Sequence, residues 1–472
     1  MQNFTGDPMR NLTKRLDTSM MKVILTLAWP TMLEQMLQTA VQYIDTAMVG
    51  TLGTEATAAV GATTTVGWLV GGMVSAFGVG FLAFIARACG AKDQQAAARA
   101  SAQAMLLTLV TGVLFTLITL SLSPFVPVWM QVEKTIRPMA TQYFFILYLP
   151  MLPRAATIIF GTLLRAAGDT RTPMKVGLAV NAINVVLNFL LIYPTRSLTL
   201  FGLTFTMPGA GLQVAGAAIA SAIAVTVGGV YITWALWRHP LISPRGQRLR
   251  PDWEILRPTF RVAIPNMFQR FGTSLGYVAF ASMINGLGEV ATAAHTIANT
   301  VESAFYIPGY GMQTAAATLA GNAYGAGDRQ RMERLARMFI PIEIGLMILS
   351  GGALFLLARP LVGLFSTEEA VISLGTLVLQ MVAVSEPFYG FSIIVEGMMQ
   401  GVGRTRQPFV FNVAGMWLVR IVGTLVCTSF FFPGEAEGLV AAWACMIAHN
   451  MLLFGLFLYC FIRGTWNPLR ER

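Results

Sequence analysis

The chain has 472 residues, 55% of them hydrophobic and only 11% charged, with a mean hydropathy of +0.63. Soluble proteins carry about 25% charged residues, so this composition belongs to a polytopic membrane protein. Four cysteines (Cys89, Cys427, Cys445, Cys460) without CxxC or Cys/His clustering exclude a disulfide framework or zinc site, and the net charge of +10 is spread over loops rather than gathered for nucleic acid.

Each span needs about 20 apolar residues, and the alternating segments of a barrel are absent from the sequence. The expected fold is therefore all-α, with about twelve membrane helices near 23–49, 57–86, 101–128, 139–164, 174–194, 211–237, 260–285, 293–321, 338–364, 372–400, 408–432 and 438–462. No small-residue cleavage site follows the polar segment 1–22 (Arg10, Lys14, Arg15, Lys22), so the first apolar stretch is expected to stay as a helix. Counted with an internal N-terminus, loops on that side hold 25 of the 32 basic residues, Arg472 included. The positive-inside rule then places both termini in the cytoplasm.

The sequence repeats at an offset of 235. Pro30 matches Pro265, Leu52-Gly53 matches Leu287-Gly288, and Ala56-Thr57-Ala58-Ala59 matches Ala291-Thr292-Ala293-Ala294. Gly90 and Asp93 match Gly325 and Asp328; Gly168, Thr170, Arg171 and Pro173 match Gly403, Thr405, Arg406 and Pro408. Two six-helix bundles of the same orientation follow, an N-lobe at 23–237 and a C-lobe at 260–462, with a basic linker at 238–259 and a tail at 463–472. A cleft between such repeats is the default substrate site.

Six carboxylates lie within the apolar stretches. Each costs roughly 2.5–3.5 kcal/mol at bilayer depth, which marks them as functional candidates. Glu34, Gln38, Gln42 and Asp45 share one face of the first helix, a face that cannot meet lipid cheaply. Arg154 in the fourth span needs a partner, with Asp45 and Glu34 the candidates. Glu302 follows His295 and Asn299 in the eighth span and is expected to counter a cationic substrate or pair with Arg270. Glu386 precedes Pro387 in the tenth span, near Tyr389 and Glu396; a salt bridge to Arg270 or Arg420 is its alternative role. Glu343 is expected to snorkel or pair with Arg337.

Several of these elements coincide with family signatures. Pro30 followed by Tyr43-Ile44-Asp45-Thr46-Ala47-Met48-Val49-Gly50, the loop Gly90-Ala91-Lys92-Asp93, Leu164-Arg165-Ala166-Ala167-Gly168-Asp169-Thr170-Arg171-Thr172-Pro173, the pair Asn184 and Asn188, and Ala215-Gly216-Ala217-Ala218-Ile219-Ala220-Ser221 resemble the multidrug and toxic compound extrusion (MATE) transporters, in order along the chain. The resemblance implies a V-shaped pair of six-helix lobes in a bacterial inner membrane. It implies an antiporter, expected to be monomeric, that exports small organic cations against inward H⁺ or Na⁺. Asp45 takes the position of the first-helix coupling carboxylate, where Na⁺ would bind transiently, and Asn184, Asn188 and Ser221 take those of its partners. One branch of the family has a C-lobe acid pair in helices seven and ten; here those positions read Thr273 and Tyr389, and Glu386 is the candidate replacement.

No Ser/His/Asp order, metal cluster or phosphate loop is present, so neither an enzyme nor a cofactor is expected beyond the coupling ion. The competing expectation is a flippase for a lipid-linked or amphipathic substrate. Six intramembrane acids against three intramembrane arginines (Arg154, Arg270, Arg420) favour cationic cargo.

Overall fold

A computed structural model describes residues 18–200 and 203–470. Arg10, Lys14, Arg15 and Arg472, used above in the charge count, lie outside the described residues. Twelve helical rods run through the rest: α1 Thr18–Gly50, α2 Thr54–Gly90, α3 Gln94–Leu122, α4 in two pieces (Arg137–Tyr148 and Met151–Ala166), α5 Arg171–Leu191, α6 Gln213–Arg238, α7 Trp253–Asn285, α8 Glu289–Gly325, α9 Arg329–Gly363, α10 Glu369–Gly401, α11 Arg406–Phe431 and α12 Glu435–Arg463. Among the described residues seven helices, or nine rods with bent α4 and α10 each taken as one span, are long and apolar enough to cross a membrane; α1, α7 and α8 are as long but more polar. The chain is a multi-pass membrane protein. Its least apolar rods line the junction between its two halves.

Two rods are broken. Helix α4 bends by 50° just before Met151, at Pro150, and α10 bends by 51° between Ala383 and Glu386, at Pro387. A proline removes one backbone donor and clashes with the preceding turn, so each bend has a local cause. In α11 two stretches, Gly415–Ile421 and Cys427–Phe431, widen to π-helix. Sequence periodicity gave no sign of this, nor of the hairpin β1 (Pro194–Leu200) and β2 (Leu203–Ala210) that caps α5 and α6. The linker expected over 238–259 is also shorter than predicted. It ends at Asp252, whose carboxylate accepts from the Glu254 amide at 3.1 Å and starts α7 early.

The repeat has a structural reason at nearly every matched position. Gly53 and Gly288 precede α2 and α8 with φ of +115° and +150°, and Gly168 and Gly403 turn at +89° and +83°; only glycine adopts these cheaply. Asp93 and Asp328 cap α3 and α9, accepting from the Ala96 and Arg331 amides at 2.9 and 2.8 Å. Gly90 and Gly325 mark where α2 crosses α8. A Cβ on Gly90 would strike the Asn322 carbonyl, and one on Gly325 the Arg87 carbonyl. Residues 87 and 322 are again 235 apart, so the crossing is two-fold. It lies at the face carrying the basic loops.

The halves meet along α1–α8, α2–α7 and α2–α8. Ile24 and Ala28 of α1 are fully buried in a cluster with Met312, Ala316, Phe339 and Met398 of the second half. Gly80 of α2 lies 2.7 Å (from a built Cβ) from the Thr259 carbonyl of α7, the repeat-related contact. Thr31 donates to the Gly311 carbonyl at 3.0 Å and Thr318 to the Arg165 carbonyl at 3.3 Å. The first half has its own core around Phe81, Ile85, Phe144, Ile159 and Leu163.

Candidate functional site

Asp45 sits about 8 Å below the non-basic end of α1, from its five-residue separation to Gly50. That end is pinned by Tyr193, which donates to the Met48 carbonyl at 3.2 Å and meets the Thr51 hydroxyl at 2.9 Å. Across from it α5 presents two asparagines one turn apart, Asn184 and Asn188, both buried. Asn188 Nδ2 donates to Asp45 Oδ1 at 2.6 Å. The Asn184 amide satisfies its neighbours when its nitrogen faces Asp45, 2.8 Å from Oδ1 and 3.1 Å from Oδ2, and its oxygen accepts from Ser221 Oγ of α6 at 2.9 Å. The four residues carried over from the family pattern therefore form one connected site. Among the described residues no basic side chain pairs with Asp45. Among those residues its charge is held by neutral amides, and Asn188 Oδ1 is buried without a hydrogen-bond partner.

Arg154 does not reach Asp45 or Glu34, contrary to the expectation from sequence. The bend at Pro150 turns it back on its own helix. It donates to the Leu147 carbonyl at 3.2 Å and lies 5.7 Å from the Tyr148 ring centroid. Glu34, about 16 Å along α1 from Asp45, pairs instead with Arg165 at 2.7 Å, both side chains only 15% exposed. Gln38 and Gln42 are exposed between these two acids.

The repeat clarifies this lower site. Adding 235 to Glu34, Gly161, Arg165 and Gly177 gives Gln269, Glu396, Gln400 and Asn412. In the first half the space beside Gly161 holds the Arg165 guanidinium and that beside Gly177 holds Glu34. In the second half the Glu396 carboxylate fills the equivalent position, accepting from Gln269 at 2.7 Å, Gln400 at 3.0 Å and Asn412 at 3.2 Å. One framework thus carries an ion pair in one half and an amide-caged carboxylate in the other. The upper site is not duplicated: the counterpart of Asp45 is Phe280, buried against the edge of His295 at 5.6 Å.

The second half gathers the remaining candidates. Arg270 donates from Nε to Asn266 Oδ1 at 3.1 Å, its stem over Gly72 of α2. Neither Glu302 nor Glu386 forms an ion pair with Arg270 or Arg420 among the described residues; Arg420 lies over Phe280 and Tyr277, 4.0 and 4.9 Å from their centroids. Tyr389 shares a 2.9 Å hydroxyl contact with Tyr310, and Tyr306 packs edge-on to both, at 5.8 and 6.2 Å. Thr273, at the family's seventh-helix acid position, donates to the Gln269 carbonyl at 2.8 Å and the Arg270 carbonyl at 3.2 Å. Glu343 neither snorkels nor pairs with Arg337: it is 0% exposed, and both carboxylate oxygens are unpartnered. Tyr306, Tyr310, the pairing of Arg165 with Glu34 and the amide cage of Glu396 were not singled out from sequence; the 235 offset applied to Glu34 reaches one member of that cage, Gln269.

Over 446 residues the chain is 27% identical to a probable multidrug resistance protein NorM from Thermotoga maritima, covering 94% of this chain and 93% of that one. It is 21% identical over 394 residues to the multidrug export protein MepA of Staphylococcus aureus, covering 83% and 82%. Its fold is similar to that of MATE crystallised with MaL6, at a TM-score of 0.85 and 23% identity over 96% of this chain and 97% of that one. A MOP-superfamily transporter from Pyrococcus furiosus is similar at 0.84, with 23% identity and the same coverage. The MatE family description matches residues 30–190 and again 265–426, two matches that begin 235 residues apart. With both repeats matched in order, the chain belongs to the MatE family.

Proposed function

We propose that this protein is a secondary antiporter that exports organic cations in exchange for H⁺ or Na⁺, and that Asp45 is the residue through which the inward ion acts. The observation that carries this is the upper site: a carboxylate at membrane depth, held by Asn184 and Asn188 with no basic partner among the described residues. A structural carboxylate would be neutralised by Arg or Lys; one caged by neutral amides keeps its charge available to an arriving cation. The unpartnered Asn188 Oδ1 is a further oxygen for that ion. When the ion binds, α1 loses its charge-assisted bonds to α5, which loosens the wall of the cleft and lowers its affinity for a cationic cargo.

The cargo reading rests on the tyrosine wall. Tyr306, Tyr310 and Tyr389 cluster between α8 and α10, and aromatic faces attract organic cations. The curated relatives are described as multidrug resistance and export proteins, which fits such a cleft. The basic face, where α2 crosses α8, is read as cytoplasmic, in a bacterial inner membrane. On this reading the protein works as a monomer in the bilayer, with no enzyme activity, cofactor or nucleic-acid partner.

The test is efflux of a fluorescent organic cation from proteoliposomes under an imposed H⁺ or Na⁺ gradient. Export under one gradient supports the reading and names the ion. Oriented, folded protein that moves no cation under either gradient but translocates a lipid-linked oligosaccharide would replace it with the flippase reading.

A further inference from the structure

The four cysteines follow no spacing pattern in the sequence, yet the fold brings two of them together. Cys427 lies on α11 and Cys445 on α12, and their Sγ atoms are in contact at 3.9 Å. Both are half-buried and free. Cys89 lies near the basic end of α2, and Cys460, 2% exposed, near the basic end of α12; neither meets another cysteine among the described residues.

Two local features of α11 make the approach. Gly423 stands one turn before Cys427, and a Cβ there would crowd Cys445 Sγ at 3.2 Å, so the bare glycine leaves that sulfur its place against α11. Cys427 opens the second π-helical stretch: its carbonyl accepts from the Phe432 amide, five residues on, at 2.8 Å. Such widened turns break the α-helical register and recur at functional sites. The two helices are anchored to different neighbours. On α11, Trp417 donates to the Gly272 carbonyl of α7 at 3.0 Å, and Arg420 lies over Tyr277 and Phe280 of the same helix. On α12, Glu435 accepts from the Ala291 amide of α8 at 2.9 Å, and Trp443 packs edge-on to His295 of α8 at 5.8 Å. A covalent link between the two sulfurs therefore ties the α7–α11 pair to the α8–α12 pair. Cys427 is four residues from the non-basic end of α11, and its apolar neighbours Leu425 and Val426 are exposed, so the pair borders the outer apolar surface.

We propose that Cys427 and Cys445 are a redox modification site, at which a hydroperoxide converts the pair to a reversible disulfide that staples α11 to α12. One cysteine, as its thiolate, attacks an oxygen of the hydroperoxide. The O–O bond breaks, the reduced hydroperoxide leaves as an alcohol, and the sulfur becomes a sulfenic acid. The second thiol gives up its proton and attacks that sulfur; the S–S bond forms and the hydroxyl leaves as water. Two thiols are thus oxidised by two electrons, and one hydroperoxide is reduced to alcohol and water. Thiol exchange with a reductant reverses the bond. The sulfurs close from contact to about 2 Å by side-chain rotation beside Gly423. With the basic face cytoplasmic, the pair lies towards the outer side, where disulfides persist. A staple across the two helix pairs holds the second half in one arrangement and slows export. That consequence rests on the antiport reading; the bond itself does not.

The test treats lipid-reconstituted wild-type protein with cumene hydroperoxide, alkylates the remaining thiols in denaturant, and reads the peptides by mass spectrometry before and after a phosphine reductant. The expected product is a peptide pair joined through Cys427 and Cys445, lighter by two hydrogens and released by the reductant, with Cys89 and Cys460 alkylated. In Cys427→Ser the sulfenic acid on Cys445 is expected to be trapped by a cyclic diketone instead; the wild-type measurement does not depend on that variant folding. Both thiols alkylated as in untreated protein, or both carried separately to sulfonic acids, would overturn the site. In proteoliposomes, oxidised wild type should export an organic cation several-fold more slowly, with reductant restoring the rate and the oxidant leaving export by Cys427→Ser unchanged. An unchanged rate for protein shown to carry the disulfide would overturn the staple. If reduced protein exports no cation under either gradient while the joined peptides are found, the antiport reading falls and the redox site stands.

Discussion

At the level of single residues, what distinguishes Asp45 from the other five membrane acids is the chemistry of its partners. Among the described residues Glu34 has an arginine, Glu396 has three amides, and Glu302, Glu343 and Glu386 have no hydrogen-bond cage. Among the described residues Asp45 is held by two asparagine amides and pairs with no basic side chain. Removing one donor should therefore matter. Asn188→Ala leaves the carboxylate without its 2.6 Å bond; a charge-assisted bond is worth about 1.5–3 kcal/mol, so ion affinity should change by about tenfold or more. The measurement is the gradient required for half-maximal efflux, with Ser221→Ala expected to give a smaller change because Ser221 touches Asn184 and not Asp45. That Asp45 meets Asn184 and Asn188 was implied by the family resemblance; spacing alone put the two asparagines one turn apart on one helix. The partner of Arg154 was not legible, because a proline bend re-aims a side chain in a way that spacing does not encode.

At the level of elements, the Glu34–Arg165 pair ties the middle of α1 to the end of α4, and both belong to the junction between the halves. Breaking a largely buried pair by removing one partner costs about 3–5 kcal/mol, whereas replacing both partners costs much less. Glu34→Gln or Arg165→Gln alone should lower the unfolding midpoint in detergent clearly more than the double substitution does. The double variant also reproduces the Gln269 and Gln400 arrangement of the second half without its acid. Thermal unfolding of the three variants checks this; equal losses in all three would show that the pair carries no coupling. The number of spans and their approximate places were readable from apolar runs. The π-helical stretches of α11, the hairpin β1–β2 and the early start of α7 were not. π-Helix leaves no periodic signature, a short exposed hairpin resembles any polar loop, and the first turn of α7 is capped by an aspartate within a charged segment.

For the whole molecule, the two-fold crossing of α2 and α8 closes the basic face by backbone contact. Gly90 and Gly325 permit it, since any side chain there meets a carbonyl of the other half. Gly90→Val or Gly325→Val should disfavour the closed crossing by about 1–3 kcal/mol, the usual cost of overpacking. Spin labels on Gln95 and Gln330, exposed and related by the same offset, should then report a longer distance across the basic face. An unchanged distance in both variants would mean that the crossing is not a gate. The matched glycines were visible as a repeat in the sequence; that they touch the other half, rather than turning the chain, was not.

The central claim is that Asp45 couples the inward ion to cargo export. The most direct measurement is gradient-driven efflux of a fluorescent organic cation from proteoliposomes containing wild type or Asp45→Asn, matched for protein amount, orientation and thermal stability. The account predicts that Asp45→Asn loses gradient-driven export and binds the cation more weakly than wild type, while remaining folded and inserted. Export by the variant at the wild-type rate would contradict it.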